Sequence, residues 1–156
     1  MRVERVDFDH PDAVALRDEH VASGNRLYAD DPAAVHRGGS EGIDPSTIVA
    51  TFVAYDGDEP IGHACVRLLD GDLAGVPEMK RLYVREPSRG RGAADALLDA
   101  IEQVARDLGA PRIVIHTGDR QHAALKFYAR HGYTPIPVFP PYEAVTYSLC
   151  FEKLLG

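Results

Sequence analysis

The chain has 156 residues, 45% of them hydrophobic, enough to bury one ordinary domain core without help from a metal or a disulfide. Its net charge of -7 argues against nonspecific binding to nucleic acid or to an anionic membrane. No apolar run approaches the ~20 residues needed to span a bilayer, and the acidic N-terminal stretch does not read as a secretory signal, so a soluble, cytoplasmic protein is expected.

Residues 1–6 alternate apolar and charged side chains and predict a short strand. Pro11, after Asp9 and His10, marks a helix start, and Val14, Leu16, Val21 and Leu27 supply its apolar positions. Residues 30–45, with GGSEG at 38–42, read as loop. Residues 48–55 and 61–69 predict two strands joined by the turn Asp56-Gly57-Asp58-Glu59. Cys65 in the second of these and Cys150 near the C-terminus lie in apolar surroundings with no metal-ligand spacing. Free, buried thiols and no metal site are therefore expected.

Residues 79–84 predict a further strand, with Met79, Arg81 and Tyr83 on one face and Lys80, Leu82 and Val84 on the other. An amphipathic helix follows, carried by Ala94, Leu97, Leu98, Ile101, Ala105 and Leu108 and stopped by Gly109 and Pro111. Residues 112–116 predict a strand parallel to that of 79–84, because a helix separates the two. A second helix covers 121–131, and a final strand is expected to place Val145, Tyr147, Leu149 and Phe151 on its core side, with a homodimer contact as the alternative use of that face. The whole is one α+β (mixed α/β) domain over residues 1–156.

Between residues 80 and 91 the acidic chain reverses sign, with Lys80, Arg81, Arg85, Arg89 and Arg91 against Glu86 alone. Within that segment Gly90 and Gly92 free the backbone to take positive φ and let a large anion approach closely. The helix that follows opens with unpaired N–H groups and the positive end of its dipole. This reads as an anion cradle, with an ordinary turn rich in Gly and Arg as the alternative, and its spacing excludes the common phosphate-binding motifs. There is no G-x-x-x-x-G-K-[ST] run, and the glycines come late, after a meander, without the third glycine of a dinucleotide fingerprint.

Arg89-Gly90-Arg91-Gly92-Ala93-Ala94 resembles the Arg/Gln-x-x-Gly-x-Gly/Ala signature of the Gcn5-related N-acetyltransferases, the GNAT superfamily. Leu82-Tyr83-Val84 is similar to the strand that precedes it in that family. Ala124-Leu125-Lys126-Phe127-Tyr128, running to Gly132-Tyr133, is similar to the family's second cofactor-side helix. The resemblance implies a mixed central sheet flanked by helices and splayed between its fourth and fifth strands, with acetyl-CoA in the split. It implies that Leu82, Tyr83 and Val84 offer backbone groups to the pantetheine arm and that Arg89, Gly90, Arg91, Gly92, Ala93 and Ala94 hold the pyrophosphate. Gln121 stands where family members often carry an Asn that touches the cofactor arm.

The activity implied is transfer of an acetyl group from acetyl-CoA to a primary amine of a small molecule or peptide by direct attack. The alternatives are an inactive acyl-CoA-binding module and an unrelated phosphate-binding protein. Such a reaction needs a neutral amine, a donor for the developing oxyanion and a proton for the leaving thiolate. By resemblance Tyr128 is the thiol-side acid and Glu78 the base, with His116 and His122 as rivals because imidazole titrates nearest neutrality. Arg81 could orient an acidic group on the acceptor. The acceptor is expected to meet regions near Glu19, His20, Arg26 and Tyr28 and near residues 139–143, and the net charge leans toward a cationic amine.

Overall fold

The computed structural model describes residues 1–30 and 42–156, so all of the predicted GGSEG loop except Gly42 lies outside the described residues. Strands β1 (Arg2–Val6), β2 (Ile48–Asp56), β3 (Glu59–Leu68) and β4 (Pro77–Val84) form an antiparallel meander. Strand β5 (Arg112–Gly118) lies parallel to β4, and β6 (Thr134–Ile136) and β7 (Ser148–Leu154) complete a seven-stranded sheet in the order β1-β2-β3-β4-β5-β7-β6.

Helix α1 (Pro11–Leu27) begins where Pro11 predicts, and the His10 side chain accepts from the Asp12 N–H to cap it. It covers one face of the sheet, where Ala13 and Leu16 pack on Val53 and Tyr55. Helix α2 (Ala93–Asp107) covers the other face, burying Leu97, Leu98, Ile101 and Ala105 against Ala64, Val66, Ile113 and Ile115. Each Leu or Ile so buried contributes roughly 1.5–3 kcal/mol. Leu108, expected on that face, lies beyond the end of α2 and is exposed. Helix α3 (His122–Arg130) adds Tyr128 to the same core. No helix among the described residues is long and apolar enough to cross a membrane.

Two strand expectations are corrected. The alternation predicted for β4 breaks at Arg81, which takes φ 57°. Lys80 pairs with Cys65 and Tyr83 with His63, so Arg81 and Leu82 together oppose Ala64 as a β-bulge. The extra residue flips the faces beyond it. Met79, Leu82 and Val84 pack toward α2, while Tyr83 turns to the α1 side.

At the other end of the chain, β7 starts only at Ser148. Val145 follows a short 3-10 turn (Tyr142–Ala144), and both Val145 and Tyr147 face a cleft instead of continuing a core stripe. The unpredicted β6 carries Pro135, which is tolerated there because β6 is an edge strand. Cys65 and Cys150 are free and buried, as expected.

Candidate active site

Strands β4 and β5 pair only at Glu78–Val114 and Met79–Ile115. Beyond Met79, the edge of β4 that faces β5 has no strand partner, and a cleft of about 200 Å³ opens there. The bulge at Arg81 is clamped from the α1 side. His63 Nδ1 donates to the Arg81 carbonyl at 2.9 Å, and His63 Nε2 accepts from Arg17 at 3.0 Å, which fixes the tautomer. Arg17 in turn reaches the Phe8 carbonyl and lies 3.7 Å above the Phe8 ring.

At the C-terminal end of β4 the chain turns through Gly90 (φ 81°) and Gly92 (φ 85°) into α2, with Gly92 as the N-cap. A Cβ at either glycine would meet no protein atom within 4 Å, so what requires glycine is the left-handed backbone and the open space beside it. Those amides and the N-terminus of α2 fit a pyrophosphate. Arg89 Nε is committed to the Val84 carbonyl at 2.8 Å, and Arg91 pairs with Asp56 at 2.9 Å on the surface.

The cleft is lined from four directions. Helix α1 contributes His20 and Asn25 and its C-cap Tyr28, β4 contributes Lys80, Arg81 and Leu82, β5 contributes His116, and α3 contributes its N-cap Gln121 and Tyr128. Tyr142 and Tyr147 close the side next to β7. Tyr142 stacks flat on His116 with ring centroids 3.7 Å apart, and His116 Nε2 lies 2.8 Å from the Ser148 hydroxyl. Gly118 lets Tyr28 lie against β5, since a Cβ there would run into the Tyr28 hydroxyl.

The acetyltransferase (GNAT) family profile matches residues 14–133. The chain belongs to the GNAT family. The chain is 32% identical over 82 residues to a Bacillus subtilis N-acetyltransferase, YjcF, a match that spans about half of each chain, 53% of this one and 54% of the other. A Klebsiella pneumoniae protein assigned as an acyl-CoA N-acyltransferase superposes with a TM-score of 0.77 at 25% identity, covering 99% of this chain and 97% of that one. A Thermoplasma acidophilum N-acetyltransferase solved in complex with coenzyme A shares the fold, with a TM-score of 0.67 at 14% identity, covering 99% of this chain and all 100% of the other.

On this GNAT framework the residues named from sequence divide. Leu82, Gln121 and Tyr128 line the cleft, and Gly90, Gly92, Ala93 and Ala94 form the turn and first residues of α2. Tyr83 turns away from it and stacks on His20 at 5.4 Å, and the Val84 carbonyl is already taken by Arg89. Glu78 is fully buried and does not line the cleft. Its Oε1 is held by Arg67 Nε at 2.6 Å and its Oε2 accepts from the Tyr142 hydroxyl at 2.8 Å. A direct base role, as expected from sequence, would require breaking that pair. His116 lines the cleft and His122 does not. Of the acceptor regions, His20 and Tyr28 reach the cleft, whereas Glu19 pairs with Arg85 at 2.9 Å. Lys80 and Tyr147, named from sequence only as part of a basic segment and of a core stripe, prove to line the cleft together with Asn25 of α1, and the late start of β7 is what frees Tyr147 to do so.

The two imidazoles beside the bulge make folding sensitive to acid. Burial pushes the pKa of His63 down from 6.5 to about 3, with the Arg17 charge adding to it and the bond to the Arg81 carbonyl opposing it. Burial, then Arg81 and Lys80, lower that of His20 to about 4. Below 6.5 the unfolded chain binds these protons and the folded chain does not, so stability present above that value is lost as pH falls toward 4. Each imidazole contributes a slope approaching ~1.4 kcal/mol per pH unit. His20→Phe keeps a ring against Tyr83, and should make the fall in denaturation free energy between pH 6.5 and 4 shallower by about one proton. Parallel stability curves for the two proteins would show that His20 does not titrate on unfolding.

Proposed function

We propose that this GNAT protein transfers the acetyl group of acetyl-CoA to a primary amine of a small molecule or peptide by direct attack within a ternary complex. The observation that carries the reading is that the unpaired edge of β4 and the ring of Tyr128 face the same cleft. Acetyl-CoA supplies the acyl carbon. Backbone groups at Leu82 hold the thioester arm, Gln121 reaches it with its amide, and the amides from Gly90 to Ala94 hold the pyrophosphate. As the amine nitrogen bonds to the acyl carbon and the carbon–sulfur bond breaks, Tyr128 gives its hydroxyl proton to the sulfur. Proton removal from the ammonium is assigned to His116, which lines the cleft, in place of Glu78, whose carboxylate is sealed behind Tyr142.

Coenzyme A, but not ATP or NAD, should raise the melting temperature of the chain. Gly92→Val forces a β-branched residue into a left-handed conformation and projects its side chain into the pyrophosphate space. Coenzyme A affinity measured by calorimetric titration should fall by at least about 10-fold, the equivalent of ~1.4 kcal/mol. Unchanged affinity in a folded variant would remove this turn from the binding site.

A further inference from the structure

The cleft has a sign opposite to that of the whole chain. Lys80 and Arg81 line it, and among the described residues no Asp or Glu does. Neither cation has a carboxylate within salt-bridge distance among the described residues. Glu78, the neighbouring acid on β4, is spent on Arg67 and Tyr142. Arg81 Nε is buried with no hydrogen-bond partner, and so is Nδ1 of His20 beside it. Lys80 Nζ donates to the Tyr142 hydroxyl, a neutral partner, and lies 4.9 Å from that ring. A guanidinium N–H taken out of water without an acceptor is costly unless something pairs with it. The positive φ that Arg81 adopts at the bulge adds to that cost and is what directs its side chain off the regular strand alternation.

From this arrangement we infer that the acceptor amine carries a carboxylate, bound by the Arg81 guanidinium with Lys80 as second cation. A planar carboxylate matches the two-pronged donor face of arginine, and it would give the buried Nε the acceptor it lacks. The cleft, at about 200 Å³ and shared with the thioester arm, leaves room only for a small acceptor such as an amino acid or aminoalkanoic acid. Its charge rejects a polyamine, so the cationic acceptor favoured by the net charge of -7 gives way to a zwitterionic or acidic one. The surplus of acids lies on the outside, where it serves solubility.

The inference rests on the acceptor reading of the same cleft, and its test must separate it from that reading and from a second source of anions, the phosphates of coenzyme A itself. The probes are the protein amino acids, short ω-amino acids, the carboxamides of both, and linear polyamines. Binding is read by calorimetric titration of the full chain with and without coenzyme A, and turnover by release of free thiol from acetyl-CoA. At least one free acid is expected to bind and react about 10- to 100-fold better than its own carboxamide, the range for one charge-assisted contact. Arg81→Gln, which leaves the backbone strain unchanged, should bring that ratio close to one. Arg81→Lys should restore part of it, and coenzyme A affinity should stay within about 2-fold in both.

Equal binding of acid and carboxamide, or a preference that survives Arg81→Gln, overturns the inference. So does a loss that appears in coenzyme A affinity, which would assign Arg81 to the donor's phosphates, or a preference for polyamines. Carboxylates that bind through Arg81 to a chain unable to bind coenzyme A would uphold the anion site and overturn the acyltransfer reading.

Discussion

Glu78→Gln is expected to lower the unfolding free energy by about 3 kcal/mol and leave the acidic limb of the pH–rate profile in place. The carboxylate is fully buried, and the Arg67 side chain that bonds it is 13% exposed. Removing the charge leaves a largely buried guanidinium facing the amide of glutamine. Its other contact there is a long one of 3.3 Å to the Tyr142 hydroxyl. Breaking a buried pair by deleting one partner costs about 3–5 kcal/mol, and the residual exposure of Arg67 favours the low end. Denaturant unfolding at neutral pH measures it.

Replacing both members, with Glu78→Leu and Arg67→Met together, should recover much of the loss, because no buried charge is then left alone. The kinetic half of the expectation separates two roles. If His116 takes the ammonium proton, the acidic limb disappears in His116→Gln and persists in Glu78→Gln. If Glu78 is the base, the reverse is found. A Glu78→Gln protein within about 1 kcal/mol of the parent would show that the pair contributes little to the fold.

The parts of the fold written in local pattern were legible in the sequence. Leu97, Leu98, Ile101 and Ala105 recur at helical spacing and bury against the sheet as that spacing requires. Gly90 and Gly92 take positive φ at the turn where an anion cradle was expected. What could not be read was set by contacts distant in sequence. The bulge at Arg81 is held by His63, 18 residues away, which is itself held by Arg17, a further 46 residues back, and nothing in residues 79–84 breaks their apparent alternation. Glu78 beside a predicted cleft looks like a base until Arg67 and Tyr142 are seen to occupy both of its oxygens. The basic segment from Lys80 to Arg91 was legible, but which of its cations enter the cleft was not. The split sheet collects Lys80 and Arg81 on one side, directs Arg85, Arg89 and Arg91 elsewhere, and leaves the nearest acid paired with Arg67.

Tyr128→Phe should lower the rate constant for acetyl transfer by roughly 10²-fold while coenzyme A affinity and the fold are kept. The ring is 6% exposed and packs edge-on against Phe127 and Tyr133, each with centroids 5.7 Å away, and phenylalanine preserves both contacts. Among the described residues the hydroxyl has no hydrogen-bond partner, so its deletion strands no other polar group, and the melting temperature should barely move. Burial holds the phenol well above its ordinary pKa of 10. It therefore stays protonated throughout the working pH range and can act as a donor to sulfur, not as a base toward the amine.

An interaction made chiefly as the thiolate departs stabilises the transition state more than the bound substrates, so the loss belongs in the rate constant and not in the Michaelis constant. A thioester with a more acidic thiol needs less help, so an activated donor should lose less from the substitution than acetyl-CoA does. Near-normal turnover with acetyl-CoA, measured where chemistry limits the rate, would reduce Tyr128 to a packing residue and leave protonation of the thiolate to water.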